Sequence, residues 1–318
     1  MTGMRSIEDC LNQRPAQMVS MAPEMWQLLQ RAYEGDAFAD EFQRAWDNGV
    51  AFLEASEALR GRTPLNIEWK GSHRAPGDEV APIDLRVDHV FLVSCKYQSR
   101  VMLNASPAHL FERLLQGGHG VRDLDWYAYV AGDMYQEVYE SVRDLFNLHS
   151  MPSLVGDLRR VDRIELKALL GGRWPNALSD CYNRFVARVT SQSAQLWTER
   201  ASTAKEREAL FWRMLRMGSA PYFLLGSSLV EPLRIRVATP WDWRLRYRFL
   251  NMDISPQQGG QPRVGWRADI EDLNSRRRFE VHGHVEIRWS HGRFSGNPEA
   301  KIYLDTPHSE IPGYFPLV

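Results

Sequence analysis

The sequence predicts a mixed α/β fold, in which a central mixed sheet is flanked by helices, with a helical insertion and a β-rich C-terminal part. Apolar residues follow helical spacing over residues 20–60, alternate with polar residues over residues 65–97, and return to helical spacing over residues 106–217. Strand patterns dominate the last third of the chain. This order is not a regular alternation of strands and helices, which disfavours a Rossmann-type domain.

Composition sets the class of protein before any motif is considered. A chain of 318 residues, of which 44% are hydrophobic, can form one large domain or two modest ones. The formal net charge of −1 disfavours a broadly basic surface but allows a local basic patch. The N-terminus has no signal-peptide pattern, no apolar run reaches the roughly 20 residues that span a bilayer, and the three cysteines are scattered. We therefore expect a cytoplasmic protein without a membrane partner.

The first predicted element is a helix within residues 20–60, expected to end at Gly61 and Pro64. Its apolar stripe contains Phe38, Phe42, Ala45, Trp46, Gly49, Leu53, Ser56 and Leu59. The alternation over residues 65–97 then predicts three successive strands.

The rest of the chain is predicted as a helical block followed by strands. Helices are expected at about 106–116, 132–147, 154–170, 176–199 and 203–217. Strands are expected at 222–225, 233–238, 245–252, 265–270, 278–287 and 300–304, with a loop at 255–262. We expect an N-terminal part with the catalytic core, a helical region and a β-rich region, at residues 1–116, 117–217 and 218–318.

The segment PIDLRVDHVFLVSCKYQSR, residues 82–100, predicts a hairpin with a defined register. A three-residue loop would pair Leu85 with Val93 and set Asp84 opposite Ser94, with Lys96 next along the same face. A two-residue loop would instead set Asp84 opposite Val93 and mix an acid with the core. The apolar match selects the three-residue loop, so Asp84 and Lys96 should lie close together.

A carboxylate and an ammonium group on one rigid hairpin suit metal-assisted hydrolysis. Mg²⁺, or Mn²⁺, prefers carboxylate oxygens, and a lysine can neutralise charge on a phosphate. Lysine is scarce here, with five among 39 basic residues, and Lys70 and Lys96 both fall in this part of the chain. The alternative for Asp84 and Lys96 is an exposed salt bridge across the hairpin.

The order helix, strand, aspartate strand, lysine strand and helix, over residues 46–116, resembles the PD-(D/E)XK (restriction endonuclease-like) nuclease superfamily. The resemblance implies a restriction endonuclease-like core, with Asp84 as a metal-binding catalytic residue and Lys96 as the catalytic lysine. The segment GVAFLEASEAL resembles the helix of that superfamily that carries a further metal-binding acid. Glu54 is its best match and Glu57 the alternative.

The chain departs from the pattern at Ser94, where the superfamily usually has an acid, and we expect Ser94 in the catalytic set. Glu68 on the neighbouring strand is the candidate substitute as a metal ligand, and Asp88 is another. The segment IEWK, residues 67–70, also fits the (D/E)XK pattern, with Asp47 of the helix as its partner acid.

Two further groups are candidates for contact with nucleic acid. Gln98 and Ser99 follow the lysine strand. Arg244, Arg246 and Arg248 alternate in WDWRLRYRF and would share one face of a strand, between aromatic residues that can stack on bases. The alternative for the arginines is an exposed face of mixed charge.

Histidines give weaker signals. His73 and His89 flank the hairpin as polar surface residues or as members of its site. His282, His284 and His291 fall in the β-rich part, where an exposed strand face is favoured over a metal site because no cysteine accompanies them.

Three functions are open at this point. The first is a metal-dependent endonuclease acting on DNA more readily than on RNA, in bacterial restriction, defence or repair. Many such enzymes cut as homodimers, because two strands need two sites. The second is a nuclease-fold module that binds nucleic acid without cleaving it. The third is a structural or interaction protein.

Overall fold

The computed structural model describes residues 1–70, 83–97, 101–113, 124–171, 174–227 and 231–317. Within these ranges the helices are α1 (Ile7–Gln13), α2 (Pro23–Glu34), α3 (Ala39–Glu54), α4 (Trp126–Leu145), α5 (Arg160–Leu170), α6 (Ser179–Arg200), α7 (Ala204–Met214) and α8 (Pro240–Arg246). The strands are β1 (Ile67–Trp69), β2 (Leu85–Val87), β3 (Phe91–Tyr97), β4 (Val101–Ala105), β5 (Tyr222–Ser227), β6 (Pro232–Val237), β7 (Tyr247–Gln257), β8 (Arg263–Asp272), β9 (Arg278–Arg288), β10 (Glu299–Leu304) and β11 (Tyr314–Pro316). The mixed α/β class is as predicted.

The chain forms two compact units, each made of segments that are separated in the sequence. Unit 1 comprises Met1–Arg100, Leu215–Tyr247 and Pro307–Val318, and unit 2 comprises Val101–Met214 and Arg248–Thr306. The sequence led us to expect three consecutive regions, at residues 1–116, 117–217 and 218–318. That division stays a prediction.

Unit 1 contains a six-stranded mixed sheet in the order β1-β2-β3-β5-β6-β11. Strands β3 and β5 are parallel, whereas the other neighbours are antiparallel. The predicted hairpin register is confirmed, because Leu85 pairs with Val93 and Val87 pairs with Phe91. The intervening turn places Asp88 and His89 at φ of 51° and 59°.

The core of unit 1 lies between α3 and one face of this sheet. The Phe52 ring is fully buried and lies 5.0 Å from the ring of Phe223 and 5.8 Å from that of Phe91. Val87 and Val93 belong to the same cluster. Since alternate residues of a strand point to opposite faces, Asp84, Ser94 and Lys96 belong to the other face.

Unit 2 contains a five-stranded sheet in the order β4-β10-β9-β8-β7. Helices α4 and α6 pack against each other, and α6 contacts β8. Its core is rich in aromatic residues, among them Trp126, Tyr127, Tyr135, Phe185, Trp197 and Phe294.

The expected single helix within residues 20–60 is two helices, α2 and α3. Helix α3 ends at Glu54, and residues 56–61 form turns. Leu59, at the end of the predicted stripe, is nevertheless buried in the unit 1 core. The apolar spacing therefore predicted the burial of Leu59 correctly, but Phe38 at the other end of the stripe is 52% exposed and the helix is shorter than expected.

The strand expected at residues 245–252 begins later, because Pro240–Arg246 forms helix α8. Thr239 caps this helix by accepting a hydrogen bond from the Asp242 amide at 3.2 Å, and Pro240 occupies its first turn. Buried Trp243 anchors it by donating to the Pro312 carbonyl at 2.9 Å. The expected loop at 255–262 also starts later, since β7 runs to Gln257.

The helix expected at 106–116, after the lysine strand, is not formed as predicted. The chain first forms β4, which pairs with β10 in unit 2. A π-helical turn follows at His109–Arg113. The short β4 pattern was missed because its pairing partner lies almost 200 residues away. No helix within the described ranges is long and apolar enough to span a bilayer.

Candidate functional site

Asp84 and Ser94 form the centre of the polar face of the unit 1 sheet. The Asp84 Oδ2 atom accepts a hydrogen bond from the Cys95 amide at 2.6 Å and from the Ser94 hydroxyl at 3.2 Å. Ser94 is buried, with 2% of its surface exposed. The predicted placement of Asp84 opposite Ser94 is therefore present as a direct contact.

Lys96 lies two residues beyond Ser94 on β3, so both side chains belong to the polar face. Its backbone pairs with Gly226 of the parallel strand β5. The distance between the Lys96 ammonium group and the Asp84 carboxylate stays a prediction. The register gives the two groups a common face but not a contact.

Glu68 is held by cations on the same face. Arg86 donates to both of its carboxylate oxygens, at 3.2 and 2.7 Å. The Lys70 ammonium group lies 2.9 Å from Oε2, and the His89 ring nitrogen lies 2.8 Å from Oε1. The hydrogen bonds from Arg86, followed by those from Lys70, lower the pKa of Glu68 to about 2. This carboxylate is a structural ion-pair acceptor.

Asp88, the other candidate substitute, is also engaged. It accepts hydrogen bonds from the amides of Leu65 at 2.6 Å and Asn66 at 3.2 Å, and from Arg62 at 2.5 Å. Although burial opposes ionisation, these bonds hold its pKa below the usual value. Asp88 thereby fastens the turn of the hairpin to the segment before β1.

Glu54 lies away from Asp84. It is the last residue of α3, and that helix packs on the apolar face of the sheet through Phe52. Two residues correspond to a rotation of about 200° around a helix, so Glu54 points away from the sheet. Its side chain is exposed.

The structure does not bring together the three expected metal ligands, Asp84, Glu54 and Glu68. In the described part of the chain, no group of three acidic, histidine or cysteine side chains could hold a metal ion. Glu68 has three basic partners within 3 Å, which oppose a further cation. The set does not fit a shared Mg²⁺ or Mn²⁺ ion.

Sequence reasoning missed the buried groups beside Ser94. Burial raises the pKa of Tyr222, while the neighbouring Arg216 guanidinium and Ser94 hydroxyl oppose that rise. Arg216 is 6% exposed, and Tyr314, which donates to the Leu215 carbonyl at 2.8 Å, is also buried. These residues come from segments more than 120 positions after Ser94, so no local signal could have identified them.

Asn48 was missed as well, although it lies in the helix that the sequence singled out. It is buried, its Nδ2 donates to the Gly226 carbonyl at 3.0 Å, and its Oδ1 accepts from Arg234 at 2.9 Å. It therefore attaches α3 to β5 at the position that pairs with Lys96.

The arginine stripe expected on one strand is not formed. Arg244 and Arg246 lie on α8, where residues two apart diverge by about 200°, and Arg248 lies on β7 and forms an ion pair with Glu271. Gln98 and Ser99 fall outside the described residues.

Two of the three candidate histidines of the β-rich part contact carboxylates. His284 Nδ1 lies 2.8 Å from Asp305, and His282 Nε2 lies 3.2 Å from Glu280. His73 falls outside the described residues.

A comparison with protein-family models found no match, and comparisons with curated proteins and with solved structures found none either. The resemblance to the PD-(D/E)XK superfamily therefore stays a prediction drawn from the residues.

Proposed function

We propose that unit 1 binds nucleic acid through the polar face of strands β1, β2 and β3, as a nuclease-like module that does not depend on a three-acid metal site. The observation that carries the proposal is the separation of the two faces of this sheet. One face forms the core with α3, whereas the other carries charged residues from three adjacent strands.

The charges on this face favour a phosphate backbone. Lys70, Arg86 and Lys96 supply three cationic groups, against the two acids Glu68 and Asp84. The Arg86 side chain is 32% exposed and therefore accessible to a ligand at the surface. Lysine and arginine contacts to phosphate supply most of the affinity in binding that is independent of sequence.

Phosphodiester cleavage at the same face is the second candidate. It is favoured by the Asp84–Ser94 hydrogen bond and by the common face of Ser94 and Lys96, which keep part of the catalytic pattern. Glu54 and Glu68 do not join Asp84 as metal ligands. We therefore propose binding ahead of cleavage as the function of this face. Preference for DNA, a homodimer and a cytoplasmic location stay predictions.

Binding is tested by fluorescence anisotropy with labelled double- and single-stranded DNA and RNA, over a range of salt concentrations. We expect Lys96→Ala to weaken binding to all sequences alike and to reduce the slope of log K against log salt by about one. Lys205→Ala removes an exposed lysine of α7 and is the matched control. Equal affinity of wild type and Lys96→Ala, or no binding of any probe, would overturn the proposal.

Cleavage is tested on the same nucleic acids with Mg²⁺ or Mn²⁺ and with a chelator. Metal-dependent cleavage that Asp84→Asn abolishes would establish the second candidate. Binding without cleavage supports the first.

A further inference from the structure

Unit 2 contains a cavity of about 200 Å³ to which the nucleic-acid proposal assigns no role. It lies where β9 ends and where the chain leaves α5. Its wall contains four aromatic residues, Tyr127, Trp174, Tyr182 and Trp289, and two arginines, Arg288 and Arg293.

The aromatic residues of the wall contact one another through their rings. The rings of Trp174 and Tyr182 lie 4.3 Å apart at 30°, and the Arg293 guanidinium lies 4.8 Å from the Trp174 ring. Trp289 packs against Tyr127 at 4.8 Å and 76°. The Tyr127 hydroxyl is fixed by donation to the Ile287 carbonyl at 3.1 Å.

Two hydrogen-bond donors of the wall lack an acceptor. The Nε1 of Trp289 and the Nε of Arg288 are buried and have no hydrogen-bond partner among the described residues. Buried donors are nearly always paired in folded proteins, and these two belong to residues of the cavity wall, so a ligand with acceptor atoms would satisfy them.

The size and charge of the cavity narrow the ligand class. Pockets for drug-sized molecules have volumes of about 300–1,000 Å³, so this cavity suits a single planar ring system. Arg293 is tied to the carbonyls of Leu170 and Gly171 at 2.6 and 3.0 Å, which holds its positive charge at the cavity. A flat heterocycle with acceptor atoms and an attached anion matches all of these features.

We propose that this cavity binds the base of a nucleotide, with base acceptor atoms at Trp289 Nε1 and Arg288 Nε and the phosphate compensated by the two arginines. Stacking on aromatic rings and on guanidinium planes is the usual way in which proteins hold unpaired bases. The site lies in unit 2 and does not depend on the function proposed for unit 1.

Isothermal titration calorimetry of the full chain tests the proposal. The probes are the four ribonucleoside 5′-monophosphates, ribose 5-phosphate, a short single-stranded oligonucleotide, and the same oligonucleotide with abasic positions. We expect base-containing probes to bind at least tenfold more tightly than their counterparts without bases. Binding of mononucleotides identifies a free nucleotide as sufficient. Oligonucleotide binding that is weakened at least tenfold by abasic positions identifies a base within a strand, and both results support the proposal.

Two variants locate the binding. Trp289→Phe keeps a ring and removes the Nε1 donor, and Arg288→Gln alters a side chain that is 35% exposed. Each should weaken binding by tenfold or more. Arg278→Gln, at the other end of β9, should leave it unchanged. No binding of any base-containing probe at millimolar concentration would overturn the proposal. So would equal binding of ribose 5-phosphate, or unchanged binding by both folded cavity variants.

Discussion

The Ser94 hydroxyl donates a hydrogen bond to the Asp84 carboxylate at 3.2 Å, across the β2–β3 pair of unit 1. The serine occupies a position where a nuclease-like pattern would carry an acid. A carboxylate there would repel Asp84 unless a cation lay between them, whereas the hydroxyl satisfies Asp84 directly. Ser94 therefore supplies a hydrogen bond at the position where that pattern would supply a metal ligand.

Ser94→Ala should lower the free energy of unfolding by about 1–2 kcal/mol, because the hydrogen bond between the buried Ser94 hydroxyl and the partly buried Asp84 carboxylate is lost. The Cys95 amide remains as the second donor, so the effect stays moderate. Urea unfolding measures it. Ser191→Ala, which removes a hydroxyl bonded only within α6, should change stability by less than about 0.5 kcal/mol. A Ser94 variant as stable as wild type would show that the contact contributes nothing.

Gly226→Ala should disrupt the central parallel strand pair. A Cβ atom at Gly226 would lie 1.7 Å from the Lys96 carbonyl oxygen and 2.5 Å from its carbon, and backbone atoms cannot move aside cheaply. We expect a loss of about 3 kcal/mol or more, seen as a lower thermal midpoint.

Gly132→Ala is the control for that substitution. Gly132 lies in α4 with open space around the added methyl group, so alanine should be neutral or slightly stabilising. Equal stability of the Gly226 and Gly132 variants would contradict the close approach of β3 and β5.

Glu68→Gln should change how stability depends on pH. The pKa of Glu68 is lowered from 4.5 to about 2, so its ion pairs stabilise the folded state fully above about pH 4.5 and are lost as the pH falls toward 2. At pH 7 the variant should be less stable by about 1–2 kcal/mol, a reduced value because Arg86 and His89 are open to water.

The free-energy difference between wild type and Glu68→Gln should close between about pH 4.5 and 2. Urea unfolding at each pH measures it. A difference that grows as the pH falls from 4.5 to 2 would have the wrong sign for this mechanism.

Asn48→Ala should destabilise unit 1 by about 2–4 kcal/mol, because it removes the partner of both the Gly226 carbonyl and Arg234. Asn48→Asp keeps the acceptor for Arg234 but loses the donor to the carbonyl. Its unfolding free energy should therefore lie between those of wild type and the alanine variant. An aspartate variant less stable than the alanine variant would indicate that the Arg234 contact is unimportant.

Short-range features of unit 1 could be predicted from the sequence. The hairpin register followed from matching Leu85 with Val93, because a slip by one residue would have exposed the whole apolar set. Strand 245–252 was predicted incorrectly at its start, because the alternation of arginines does not indicate the helix that begins at Pro240 after the Thr239 cap.

By itself, the sequence determined the mixed α/β class, the three-strand meander and the contact of Asp84 with Ser94, since these depend on alternation and on neighbours within a dozen positions. Only the tertiary structure decided that Glu54 points away from Asp84, that Glu68 is held by Arg86, and that Asn48 reaches Gly226. The physical reason is that a side chain's partners across a packed face depend on how helices and distant strands approach it. Periodicity along the chain specifies which face a residue occupies, but not what covers that face.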